Sequence, residues 1–140
     1  MRSFDVSVPR DIEADMVASL RQAGIKASTI VPAERGAGTV RVSRTGGTDD
    51  DYEGQRDTAD LLIEVWEEDS ISAYATAQRA YAALLALAMR GTTATGQPIY
   101  KAEIAPPRAY DDPQAPALYR VTFTATISTT LETITIHLED

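Results

Sequence analysis

Alternating and helix-spaced apolar positions divide the chain into segments. Residues 59–69, ADLLIEVWEED, place Leu61, Ile63 and Val65 on one side of an extended chain and Leu62 and Trp66 on the other. A strand apolar on both sides belongs in the middle of a sheet, with each face covered. Residues 70–90 read as the longest helix. Ile71, Tyr74, Ala77, Tyr81, Leu84, Leu85 and Ala88 recur at three- and four-residue steps and are expected to share its buried stripe. Ser70 or Ser72 is placed to cap its start, Arg90 suits the negative end of its dipole, and Gly91 supplies a left-handed stop.

The rest of the chain arranges itself around this strand and helix. Residues 4–8 are short and extended in pattern. Ile12, Met16, Val17, Leu20 and Ala23 form the apolar stripe of a first helix that starts near Pro9 and stops at Gly24; its polar side carries Asp11, Glu13 and Asp15. That acidic side marks a surface helix of a globular domain, since a helix lying on a membrane presents a basic one. Residues 25–31 are extended, and residues 39–44 alternate as a strand with Val40 and Val42 inward. Thr45-Gly46-Gly47-Thr48 is turn chemistry opening an acidic loop that reaches Thr58. Residues 99–104 form a modest strand, and residues 105–117, with four prolines, an exposed loop. Tyr119, Val121, Phe123, Ala125 and Ile127 alternate with polar residues as a half-buried strand. The expected fold is α+β, a mostly antiparallel sheet flanked by two helices in the order α-β-β-α-β-β, in a single domain spanning residues 1–140.

The C-terminal residues break this alternation. Apolar residues occupy odd positions from Tyr119 to Leu131 and even positions at Ile134, Ile136 and Leu138. A continuous strand cannot change parity without turning its apolar side to water, so a bulge or hinge is expected between Thr129 and Thr133. Residues 129–140 then form an extra strand or arm; of two placements, covering its own sheet after a bulge or pairing with the sheet edge of a neighbouring subunit, the second is expected.

Composition narrows the function classes. A hydrophobic share of 44% with 24% charged residues is that of a globular protein, not a disordered one. The net charge of −8 opposes long-range attraction to nucleic acid. The absence of cysteine removes disulfides, thiol nucleophiles and thiolate metal sites. No apolar run has the length of a membrane span, and no signal-peptide core follows the first residues, so a soluble protein retained in the cell that makes it is expected.

Candidate chemistry is sparse. Asp49, Asp51, Glu53, Gly54 and Asp60 match the first, third, fifth, sixth and twelfth positions of a calcium loop. The flanks are wrong for it: glycines precede the motif, a strand follows it, and Asp60 stands where a bidentate glutamate is usual. This is a weak candidate, and a solvated acidic turn is the expectation. Gly36-Ala37-Gly38 opens no helix and is a turn. His137 is the single histidine and has no evident partner in sequence, which fits the outward residue of a short strand. No catalytic residues and no cofactor are expected. The candidate contact residues are Asp49, Asp50 and Asp51, then Tyr110, Asp111 and Asp112, and finally Ile134, Ile136 and Leu138. Both loops are too long for simple connections, and loops of that kind are usually functional or disordered.

Residues 31–35 (VPAER), 40–48 (VRVSRTGGT) and 62–66 (LIEVW), the alanine-rich helix, and residues 118–123 (LYRVTF) after the proline-rich loop together resemble tail terminator proteins of long-tailed bacteriophages. The resemblance covers roughly residues 8–128; each piece is unspecific, and their order and spacing carry it. It implies a sheet with two helices and a structural role in the virion. Such proteins assemble, typically as a homohexameric ring, on the head-proximal end of the tail tube, made in the host cytoplasm. The implied partners are other copies of itself, the tail tube protein, and the head–tail connector or stopper. DNA would pass through the pore without tight binding, and no membrane is involved. The alternatives are another head–tail joining protein (a stopper or head completion protein) and, from a different class, a calcium-binding module.

Overall fold

Val42, Ile63 and Phe123 lie side by side across three adjacent strands, and this row locates the core. The computed structural model describes residues 1–31, 36–50 and 56–140. The elements in order are β1 (Arg2–Val8), α1 (Ile12–Gln22), β2 (Ala27–Ser28), β3 (Thr39–Asp50), β4 (Arg56–Glu67), α2 (Ser70–Arg90), β5 (Lys101–Ile104), β6 (Arg108–Ala109), β7 (Tyr119–Thr130) and β8 (Glu132–Leu138). The fold is α+β: two helices and a multi-stranded, mostly antiparallel sheet ordered β2-β3-β4-β7-β5, with β6 also on β7. Among the described residues only the short β2–β3 pair is parallel.

As its two-sided pattern requires, β4 is the middle strand. Ala59, Leu61, Ile63 and Val65 point to the helix-covered side. There they join Val40 and Val42 of β3 and Val121, Phe123, Ala125 and Ile127 of β7 in one buried cluster. From α1, Ile12, Met16, Val17 and Leu20 close it, held at the start of the helix by Asp11, which accepts a hydrogen bond from the Ala14 amide at 3.1 Å.

The second helix packs differently from its sequence reading. Its buried stripe is Ala73, Ala77, Ala80, Leu84 and Leu87, and the small alanines let the helix sit close to β4 and β7. Ile71, Tyr74 and Leu85, expected inside, are exposed; Ile71 is 82% accessible. Two apolar stripes compete on this helix, and helical periodicity alone does not say which one meets a sheet. The cap is Asp69, not a serine: its side chain accepts from the Ser72 amide at 2.7 Å, and Gly91 ends the helix with φ +82° as expected.

The acidic loop expected from Thr45 to Thr58 is largely strand. β3 and β4 stay paired out to Asp50 opposite Arg56, with a bulge between Arg44 and Gly46. Gly47 has φ +124°, and a Cβ there would meet the Thr58 carbonyl oxygen at 2.1 Å. The bulge residue is Thr45, and the glycines are paired rungs of the ladder just past it, not its end. Tyr119, read as inward, is exposed at the start of β7.

The C-terminal strand is a separate element, and the break falls at Leu131, inside the expected interval. Its ladder partner is the chain's own β1, with which it forms a second, two-stranded antiparallel sheet. The expectation of pairing to a neighbour overlooked residues 4–8, where Phe4, Val6 and Val8 keep the same alternation.

Candidate functional site

Three surfaces collect the residues singled out from sequence. The first is the sheet face opposite the helices, where Glu64 of β4 is shut from solvent between two cations. Arg41 donates from Nε to Glu64 Oε1 at 2.8 Å and pairs with the same oxygen through Nη2, while Arg120 donates to Glu64 Oε2 at 3.1 Å. Burial of a carboxylate is tolerable only with such pairing.

Arg120 also fixes the proline-rich segment. It donates to the Tyr110 carbonyl at 2.7 Å and the Asp111 carbonyl at 3.1 Å, with its guanidinium 5.5 Å from the Tyr110 ring centre. Beside it the Trp66 indole donates to Asp112 Oδ2 at 2.9 Å, and Asp112 Oδ1 accepts from the Gln114 amide. Asp112 is thus buried, which corrects its reading as a surface contact residue; Tyr110 and Asp111 are exposed. Asp112 completes the cover over the second apolar side of β4, and a buried indole N–H needs an acceptor. Residues 111–119 border an open depression of about 520 Å³ that Asp111, Pro113, Pro116, Leu118 and Tyr119 help to line.

The second surface is the outer end of the β3–β4 hairpin. Asp49 and Asp50 are in β3; Asp51 and Glu53 fall outside the described residues. Asp49 pairs with Asp57, and Asp60 lies three rungs away opposite Gly46, accepting from the Thr126 hydroxyl at 3.0 Å. A calcium loop coils its ligands around the ion, whereas this backbone runs straight between Asp60 and Arg56. Among the described residues no cluster of three or more metal-ligating side chains occurs. The hairpin is tied to the body by Arg44, which chelates Asp57 at 2.6 and 2.8 Å and whose amide donates to Glu13 of α1 at 2.7 Å.

The third surface is the β1–β8 ribbon. In its register Phe4 faces Ile136 and Val6 faces Ile134, so these four and Leu138 share one side. The other side is polar, with Ser3 hydrogen-bonded to His137 at 2.8 Å and Thr135 donating to Asp5 at 2.7 Å. Arg10 holds the base of the ribbon, donating to the Thr130 hydroxyl at 2.9 Å and the Leu131 carbonyl at 3.1 Å. Beyond that anchor the ribbon is exposed along nearly its whole length. Ile134, Ile136 and Leu138 are therefore at the surface, joined by Phe4 and Val6, which sequence reasoning missed.

Among the described residues no helix is long and apolar enough to cross a membrane. No protein-family model matches the chain, and no curated protein matches it in sequence.

Proposed function

We propose that this protein is a tail terminator of a long-tailed bacteriophage, a structural virion protein. Copies of it form a ring, homohexameric in the usual member of that family, on the head-proximal end of the tail tube. The ring stops tube growth and offers a docking face to the connector or stopper. In this reading α1, β3, β4, α2, β5 and β7 are the α-β-β-α-β-β frame of the family, and β8 is an arm added to it.

The observation that carries the reading is the exposed apolar side of the β1–β8 ribbon. Phe4, Val6, Ile134, Ile136 and Leu138 form a continuous patch in a protein of net charge −8. Patches of that kind on soluble domains mark contact surfaces, and an isolated two-stranded ribbon is at best marginally stable in water. Both facts fit a chain that works as one subunit of an assembly. The acidity adds to this, since a pore that DNA traverses is better served by repulsion than by phosphate contacts.

Electron microscopy of the protein mixed with tail tubes assembled without a terminator tests the proposal. Ring-shaped density on one end of each tube, with tube length no longer increasing, is the expected result. Tubes that remain bare and keep growing overturn it.

A further inference from the structure

Among the described residues, Asp15 Oδ1 is the one buried side-chain oxygen that accepts no hydrogen bond. The residue is 9% accessible and lies one turn into α1. The hydroxyl of Ser19, one turn further on, donates at 2.8 Å to the Asp15 carbonyl instead and accepts from the Ala94 amide at 3.0 Å. A buried carboxylate oxygen without a donor gives up its hydration and recovers nothing, so it calls for a reason.

Asp15 lines an open depression of about 250 Å³ where the start of α1, the connection between α2 and β5, and the base of the β1–β8 ribbon meet. Arg10, Asp11, Ala14, Thr95, Gln97 and Glu132 complete its wall. The charges in that wall are the carboxylates of Asp11, Asp15 and Glu132 against the single cation of Arg10. Arg10 turns its donors to the ribbon base: Nε to the Thr130 hydroxyl, Nη2 to the Leu131 carbonyl, and Nη1 to within 3.8 Å of Glu132. Two nearby charges lie outside the wall and are engaged elsewhere, Glu13 by the Arg44 amide and Arg90 by the Thr92 carbonyl. Of the acceptors in the wall, Asp11 Oδ1 is taken by the Ala14 amide and Gln97 Oε1 by the Thr130 hydroxyl.

We infer that this depression binds one cationic hydrogen-bond donor, a primary ammonium or guanidinium on a short alkyl chain, which donates to Asp15 between Asp11 and Glu132. Such a donor supplies both things the wall lacks, a hydrogen for the orphaned oxygen and a positive charge, and charge-assisted hydrogen bonds are the strong ones. A metal ion fits less well, because among the described residues no three metal-ligating side chains converge on a point. The size agrees: small-molecule sites occupy about 300–1,000 Å³, and this smaller one suits a single side-chain end or a small amine. Oδ1 itself is shut from solvent, and the Arg10 and Glu132 side chains, 29% and 47% exposed, are free to shift and admit the donor. Nothing in this inference rests on the proposed ring.

Two-dimensional amide NMR of the full chain, titrated with n-butylammonium chloride, tests it. Tetramethylammonium chloride, equal in charge but without an N–H, is the control. Saturable shifts of the Ala14, Asp15, Thr95 and Gln97 amides are expected with the first salt and not with the second. Asp15→Asn is expected to weaken n-butylammonium binding about tenfold, and Glu132→Gln, at a more exposed position, about threefold. Because Asp15→Asn removes an unpartnered buried carboxylate, its melting temperature is expected to equal or exceed that of the wild type. Native mass spectrometry distinguishes two sources of the cation. If a side chain of a second copy supplies it, n-butylammonium and Asp15→Asn each lower the oligomeric state; if it is a free amine, the oligomeric state does not change.

An equal response to the two salts overturns the inference, as does undiminished affinity in both variants. So does the lack of any saturable response together with an oligomeric state that Asp15→Asn leaves unchanged; water alone would then serve Asp15. Each of these results leaves the tube-capping proposal standing.

Discussion

Arg44 holds Asp57 through both carboxylate oxygens, at 2.6 and 2.8 Å, with the Asp57 side chain wholly removed from solvent. The pair spans the two strands of the long hairpin on the helix-covered side of the sheet, next to the bulge. Removing one partner strands the other as a buried charge. Arg44→Met is therefore expected to cost about 3 kcal/mol in urea unfolding, and Arg44→Met with Asp57→Leu to recover most of that loss. Equal destabilisation by the single and double changes would show that the pair is not what matters.

The ladder just past the bulge depends on one glycine of two. A Cβ on Gly47 would meet the Thr58 carbonyl oxygen at 2.1 Å and Ala59 Cα at 2.9 Å, at a φ of +124°. A Cβ on Gly46 would meet only Asp60 Oδ2 at 3.7 Å. Gly47→Ala is expected to lower stability by at least about 2 kcal/mol, and Gly46→Ala to stay within about 0.5 kcal/mol of the wild type. Thermal denaturation of the two single variants separates them.

Trp66 is the chain's single tryptophan, which makes the proline-rich segment observable. Its indole donates to Asp112 at 2.9 Å, and both residues are buried. Asp112→Ala leaves that N–H without its acceptor and is expected to cost about 2 kcal/mol. The Trp66 emission should shift to longer wavelength as residues 105–117 loosen and water reaches the ring. An unchanged spectrum would show that other contacts keep this segment closed.

The cap at the start of α2 is expected to give stability a small dependence on pH, Asp69 being exposed. The Ser72 amide donating to Asp69, helped by the Ser72 hydroxyl and the Ile71 amide, holds the Asp69 carboxyl below its ordinary range against a smaller opposing effect of desolvation. A folded-state pKa below the unfolded one adds stability that is complete above about pH 4 and is lost as pH falls through the depressed value. Asp69→Asn should lower the melting temperature at neutral pH, and its gap to the wild type should close in acid. A gap that is constant with pH would assign the effect to hydrogen bonding without charge.

Acidity also sets the interaction with DNA. At −8 per chain, the protein is expected to bind mixed-sequence duplex DNA weakly or not at all at physiological salt. Submicromolar affinity in a fluorescence anisotropy titration would contradict this.

Local patterns in the chain determined much of this protein. The inward row of β4, that of β7 from Val121 to Ile127, the α1 stripe from Ile12 to Leu20 and the break at Leu131 follow from period and parity, and the Gly91 stop from glycine's ease at positive φ, because each depends on neighbours a few residues apart; Tyr119 and Ala23, at the ends of their rows, are exposed. Where two local readings were equally good, the tertiary structure decided. On α2, close packing against the sheet selected the alanine stripe and left Ile71, Tyr74 and Leu85 outside. At Gly46-Gly47 the ladder, continued from Thr48 opposite Thr58 to Asp50 opposite Arg56, made paired strand of an apparent turn. Phe4 opposite Ile136 and Trp66 bonded to Asp112 join residues far apart in the chain, and no local spacing records such pairs. The calcium spacing of Asp49 and Asp60 shows the reverse case: the sequence interval suits a loop, but the backbone joining them was committed to a ladder by partners it meets only on folding.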